Sequence, residues 1–133
     1  MGEFPTPDMA LTHILVVADV ATSRDWYRDV LGAAPYREYG GTSAVFDFNG
    51  SWLLLVTGGD ATADKPDVTF AAPTNPMSVD HAFTIRVPDC HQAYADLTAR
   101  GAVFLTPPHD RGGEIRCFFR DPDGHLFEIS EVG

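Results

Sequence analysis

The sequence predicts an α+β domain built from one strand–helix–three-strand unit used twice. Two observations carry this. The first is a pair of matching landmarks: Val17-Ala18-Asp19, a helical stretch and Gly32-Ala33 return as Val87-Pro88-Asp89, a helical stretch and Gly101-Ala102. The second is the spacing of short apolar runs, one before each helix and three after it. An internal repeat of this kind constrains a fold more than a single motif does.

The elements follow in order. Leu11 to Val17 is short, apolar and β-branched, so it reads as a buried strand. Asp19 is the expected N-cap of a helix whose apolar face is Val20, Ser23, Tyr27, Val30 and Leu31, ending at Gly32. Strands are expected around Pro35 to Tyr39, Ser43 to Phe48 and Ser51 to Thr57. Asn49-Gly50 between the last two predicts a tight hairpin turn with positive φ. The polar stretch from Gly58 to Ser78 is an inter-module linker or a binding loop. Val79 to Val87 is the next strand. Asp89 caps a helix with Cys90, Ala93, Tyr94 and Leu97 on its apolar face, and Gly101 ends it. Ala102 to Leu105, Ile115 to Arg120 and His125 to Ser130 are the last strands expected. Residues 1–10 read as an N-terminal arm. Residues 11–133 form one domain: module one over about 11–58, the linker over about 59–78 and module two over about 79–131.

The chain has 133 residues, 44% hydrophobic and 21% charged, the composition of a folded globular domain. Nine basic residues against nineteen acidic give a net charge of −10. That balance disfavours a nucleic-acid phosphate backbone as partner and suits a neutral or cationic small molecule. Cys90 and Cys117 form no CxxC and no disulfide framework, so a reducing, cytoplasmic setting is expected. The apolar runs are strand-sized, so no membrane partner is expected. No Walker loop, GxGxxG or GxSxG is present.

The landmarks resemble the vicinal oxygen chelate superfamily, which holds glyoxalases, bleomycin-resistance proteins and type I extradiol dioxygenases. The resemblance rests on Val17-x-Asp19-x-x-x-Ser23-x-x-Trp26-Tyr27-x-x-x-Leu31-Gly32, on Val87-Pro88-Asp89 with Leu97 and Gly101, and on Asp121-Pro122-Asp123-Gly124-His125-x-x-Glu128. It spans about Leu11 to Glu131. It implies that each βαβββ module curls into a half-barrel and that two modules enclose a cup. Some members hold one divalent ion there, with ligands from the first strand of each module and the last strand of the second. Others are metal-free, bind a ligand in the cup and work as dimers.

His13, His81 and Glu128 have the composition of a two-histidine, one-carboxylate site. Their register argues against it. His13 stands six residues before Asp19 and His81 eight before Asp89, one to either side of the spacing that the resemblance implies for a ligand. Strand side chains alternate with period two, so an odd shift turns a side chain to the other face. The cup-facing positions become Thr12 and Ala82. Thr84 and Arg86 alternate with Phe83, Ile85 and Val87, which puts His81 in phase with the apolar set. A β-bulge in each first strand would return both histidines to the cup.

The leading expectation is therefore a metal-free protein of the bleomycin-resistance type with no cofactor. It would sequester an apolar or cationic small molecule, an antibiotic among the candidates, in a cup associated with a homodimer. The expected ligand-binding residues are Thr12, Trp52, Leu54, Arg86 and Glu128, with His109 and Arg111 on a glycine-rich rim. Glu128 is expected to bond Arg86 or Thr12. The alternative is a divalent-metal enzyme, a lyase, isomerase, transferase or ring-cleaving dioxygenase. It would use His13, His81 and Glu128 around Zn, Ni, Mn or Fe.

Overall fold

The protein is described from a computed structural model covering residues 2–133. Module one runs β1 (Thr12–Val17), α1 (Val20–Asp29), β2 (Ala34–Tyr39), β3 (Ser43–Phe48) and β4 (Ser51–Thr57). Module two runs β5 (Ala82–Arg86), α2 (Cys90–Arg100), β6 (His109–Asp110), β7 (Glu114–Arg120) and β8 (Leu126–Val132). Each makes a four-stranded sheet, in the orders β1-β4-β3-β2 and β5-β8-β7-β6. The first strand of each module pairs in parallel with the last, and the other pairs are antiparallel. The repeat read from the sequence is the repeat of the fold.

The helix starts follow from their caps. Asp19 accepts from the backbone N–H groups of Ala21 and Thr22, and Asp89 from that of Gln92. Gly101 ends α2 at φ 112°, a left-handed conformation that only glycine adopts cheaply. Asn49 and Gly50 take φ 49° and 91° between antiparallel partners Phe48 and Ser51, and Asp47 Oδ1 accepts from the Gly50 N–H at 2.7 Å. This is the hairpin the sequence predicts.

Two strand expectations are corrected. Ala102 to Leu105 is not a strand; Phe104 alone bridges Phe119, and Leu105 N–H donates to the Phe118 carbonyl. Pro107 and Pro108 lack the N–H a ladder needs, and pairing resumes only at His109 and Asp110. The His109 segment is thus a short strand and not a free rim. The strand expected from Val79 begins at Ala82, because its partner β8 begins at Leu126, beyond the turn at Gly124.

One face of each sheet is closed and the other open. Leu15, Val17, Ala44, Phe46, Leu53 and Leu55 of module one are buried, as are Cys117, Phe119, Phe127 and Ile129 of module two. The helices pack on these faces, α1 on β3 and β4, α2 on β7 and β8. Trp26 and Tyr27 of α1 also meet Phe127 of β8 at ring-centre distances of 6.0 and 6.1 Å, so the two modules share a core.

The Asp-Pro-Asp-Gly-His turn ties module two to module one. Buried Tyr27 donates its hydroxyl to Asp121 Oδ2 at 2.6 Å. Asp123 accepts from the Ala18 N–H at 2.8 Å and from the Ser23 hydroxyl at 3.2 Å. His125 Nε2 donates to the Val16 carbonyl at 2.8 Å. Burial raises the Asp121 carboxyl above its ordinary value of 3.8, outweighing the Tyr27 hydroxyl that pulls the other way. The folded state therefore binds this proton more tightly than the unfolded one. Its contribution to stability is present below 3.8 and is lost as pH rises through the raised value. Denaturant midpoints at a series of acid pH values should fall more steeply with pH in the parent chain than in Asp121→Asn. Parallel curves would show that Asp121 is not the source.

Candidate functional site

The strand parities decide what meets what. On β1 and β4, Thr12 pairs with Trp52 and Ile14 with Leu54, all on the open face; His13 pairs with Leu53 on the closed face. On β5 and β8, Thr84 pairs with Glu128 and Arg86 with Ser130, while Phe83 pairs with Phe127. His13 and His81 pack edge-on against Phe83, with ring centres 5.1 and 4.8 Å away. Phe83 in turn stacks on Phe127 at 4.8 Å. Both imidazoles therefore lie on the closed, helix-bearing side, opposite Glu128. No bulge interrupts the pairing of β1 or β5.

The open face of module two carries a polar cluster. Glu128, 8% exposed, accepts from the Thr84 hydroxyl at 2.7 Å, and its other oxygen lies 3.8 Å from Arg116. Arg86 donates to the Ser130 hydroxyl at 2.6 Å and to Glu114 at 3.2 Å. Ser130 also donates to Glu114, and Arg116 lies 3.5 Å from it. The Ser130 hydroxyl first, then Arg86 and Arg116, hold the Glu114 carboxyl below its usual range. His109 pairs with Arg116 and so extends the row Arg86, Ser130, Arg116 across the sheet. Arg111 is exposed beyond the end of β6. The partner of Glu128 is Thr84, not Arg86 or Thr12 as expected. Arg86 is engaged by Glu114 and Ser130, one residue pair further along.

The open face of module one is apolar. Ile14 is 50% exposed, Trp52, Leu54, Val56 and Val45 are half-buried, and Tyr36 meets Trp52 edge-on at 5.1 Å. Thr12, Trp52 and Leu54 thus share one surface, and Arg86, Glu128 and His109 share another, with Arg116, Glu114, Ser130 and Thr84 added to it. Arg116 and Glu114 were legible as the alternation Glu114, Arg116, Phe118 on one strand; nothing local marks Ser130.

A profile of the Glyoxalase/Bleomycin resistance protein/Dioxygenase superfamily matches residues 10–129. The chain belongs to this superfamily. It is 31% identical over 123 residues to the metallothiol transferase FosB of Lysinibacillus sphaericus, covering 90% of this chain and 80% of that protein. It is 32% identical over 125 residues to FosB of Staphylococcus epidermidis, covering 90% and 81%. A glyoxalase/bleomycin resistance protein/dioxygenase from Nocardioides superposes with a TM-score of 0.73 at 23% identity, covering 96% of this chain and 85% of that one. The fosfomycin resistance protein FosX of Listeria monocytogenes superposes at 0.67 with 15% identity, covering 96% of each.

These relatives overturn the expectation of no cofactor, since both FosB proteins are metal-dependent transferases by name. The ligand set given with the metal alternative does not fit a single ion. Glu128 faces the open side and the two histidines face the other, and among the described residues no three His, Cys, Asp or Glu side chains gather as a metal-holding group. No helix among the described residues is long and apolar enough to cross a membrane.

Proposed function

We propose that this member of the superfamily is an enzyme of the antibiotic-resistance kind that transfers a thiol to a small electrophilic molecule. The observation that carries the reading is the identity of 31% and 32% to metallothiol transferases over nine-tenths of the chain. A divalent ion belongs to the reading through those relatives. The chain's own residues supply the rest. Arg86 and Arg116 form the cationic side of the polar cluster and suit an anionic group on the substrate. Glu128, steadied by Thr84 on one oxygen and with Arg116 3.8 Å from the other, would take the proton that the thiol gives up as its sulfur bonds to carbon; the electrophile's carbon–heteroatom bond breaks in the same step, and its heteroatom keeps the electron pair and is then protonated. Trp52 and Leu54 supply an apolar wall. A cytoplasmic setting, where thiols stay reduced, suits this chemistry.

The reading includes a homodimer. The exposed apolar surface around Ile14, Trp52 and Leu54 and the polar cluster around Glu128 are both open in a single chain, and a second copy would cover them as a cup. Sedimentation at micromolar concentration should give twice the chain mass, and a monomer would count against the shared cup.

The test uses fosfomycin, named with one structural neighbour, as the probe. The untagged protein is incubated with it, a panel of small thiols and either Mn, Ni or Zn. A thiol–antibiotic adduct in the mass spectrum is the expected result. Antibiotic that is bound but recovered unchanged would return the chain to sequestration.

A further inference from the structure

A cleft runs between the two modules along β5, the edge strand of the second sheet. Its volume of about 620 Å³ falls within the range of about 300–1,000 Å³ usual for small-molecule sites. Leu31 and Phe48 of module one and Ile85 and Val87 of module two line it, and the same four side chains line a narrower cavity of about 190 Å³ beyond it. Leu97 and Ile129, both buried, form the floor there. Phe48, Ile85 and Val87 are only partly buried, so the walls keep apolar surface in contact with water. Ile85 pairs with Ile129 on the face opposite Glu128, so this cleft is separate from the polar cluster around that carboxylate. Two arginines reach it. Arg86, at the wide end, is bound to Glu114 and Ser130. Arg100, at the narrow end, makes no ion pair among the described residues. Its Nη1 lies over Gly32, where a Cβ would stand 3.1 Å away, so the missing side chain leaves room for the guanidinium. Asp96 shares this end but is held by Gln92, whose Nε2 donates to it at 2.9 Å.

We infer that this cleft is a second ligand site, for a single-chain aliphatic carboxylate whose head meets Arg100 and whose tail extends along β5 between the modules. The tail would cover the half-buried walls and remove their apolar surface from water, which is the driving force. Leu31, Ile85, Val87, Leu97 and Ile129 offer no side-chain hydrogen-bond group, so the narrow part suits an alkyl chain. The Arg100 guanidinium presents the planar fork that a carboxylate bonds in pairs, and it has no acidic partner to give up first. A cationic head would be repelled there, and a neutral one would leave the fork unpaired. Asn49 and Ser51 at the far end carry no charge, so they give the head no reason to turn round. The inference is independent of the reaction proposed above.

Calorimetric titration of the untagged protein with octanoate, octanol and acetate tests it. One octanoate should bind per chain. Octanol keeps the tail but loses the charge-assisted hydrogen bonds, so it should bind at least ~10-fold more weakly. Acetate keeps the head but has no tail, and should show no binding. Arg100→Gln should bring octanoate down to the affinity of octanol and leave octanol unchanged. Ala93 lines the narrow part, and Ala93→Leu should fill it and weaken both ligands. Glu128→Gln should bind octanoate as the parent does. Thermal melts of all variants without ligand show whether the fold is retained. Arg100 is exposed, so its variant decides the question even if Ala93→Leu fails to fold. No octanoate binding by the parent protein, octanoate binding unchanged in Arg100→Gln, or binding that is lost in a folded Glu128→Gln would each overturn the inference.

Discussion

Glu128→Gln is expected to lower kcat/KM for thiol transfer by at least ~100-fold while leaving the fold intact. Proton transfer by a positioned carboxylate contributes about 10²–10⁴-fold in enzymes, and Glu128 is the carboxylate that the Thr84 hydroxyl holds. The amide keeps an oxygen that accepts from the Thr84 hydroxyl, so packing should be preserved. It cannot take a proton from a thiol. On the proposed function the loss should appear in kcat more than in KM, because Arg86 and Arg116, proposed to face the anionic group of the substrate, are unchanged. Steady-state kinetics with a fixed thiol checks this. A variant with more than half the parent rate would remove Glu128 from the chemistry and leave it as a structural partner of Thr84.

Phe127→Ala should destabilise the fold by about 3–5 kcal/mol, the range for emptying a buried aromatic site. Phe127 is 2% exposed and stacks on Phe83 and Phe119 at ring-centre distances of 4.8 and 5.4 Å. It also meets Trp26 and Tyr27 from the other module. One ring therefore joins the second sheet to helix α1 of the first module and supports the Phe83 face on which His13 and His81 rest. Equilibrium denaturation measures the effect. A loss under about 1.5 kcal/mol would mean that the modules are held together mainly by the Asp121 turn.

Most of this fold was legible because period two and period 3.6 leave a trace in short windows. The Thr84, Arg86 against Phe83, Ile85 alternation placed His81 on the apolar side before any contact was known. Asp19 and Asp89 marked helix starts because an N-cap needs a short acceptor there. The errors share a cause. Pairing of β6 depended on where Pro107 and Pro108 interrupt the ladder relative to a strand some ten residues on. The Arg86, Ser130, Glu114 network joins β5, β7 and β8, whose register no local window reveals. Glu128 was readable as a cup residue from its place after Gly124, but its bond to Thr84 rather than Arg86 depends on the parallel register of β5 with β8. The cofactor was beyond strand geometry altogether: parity says where two imidazoles point, and only kinship with metallothiol transferases bears on whether a metal takes part.

The proposed function requires that the protein turn over its small molecule rather than hold it. The most direct measurement is the number of probe molecules consumed per chain, with thiol, divalent ion and fosfomycin in large excess over protein, followed by phosphorus NMR. Consumption is expected to continue far beyond one equivalent, with the adduct as product. Consumption that never begins, or a bound signal that saturates at one equivalent per chain with the antibiotic intact, would contradict it.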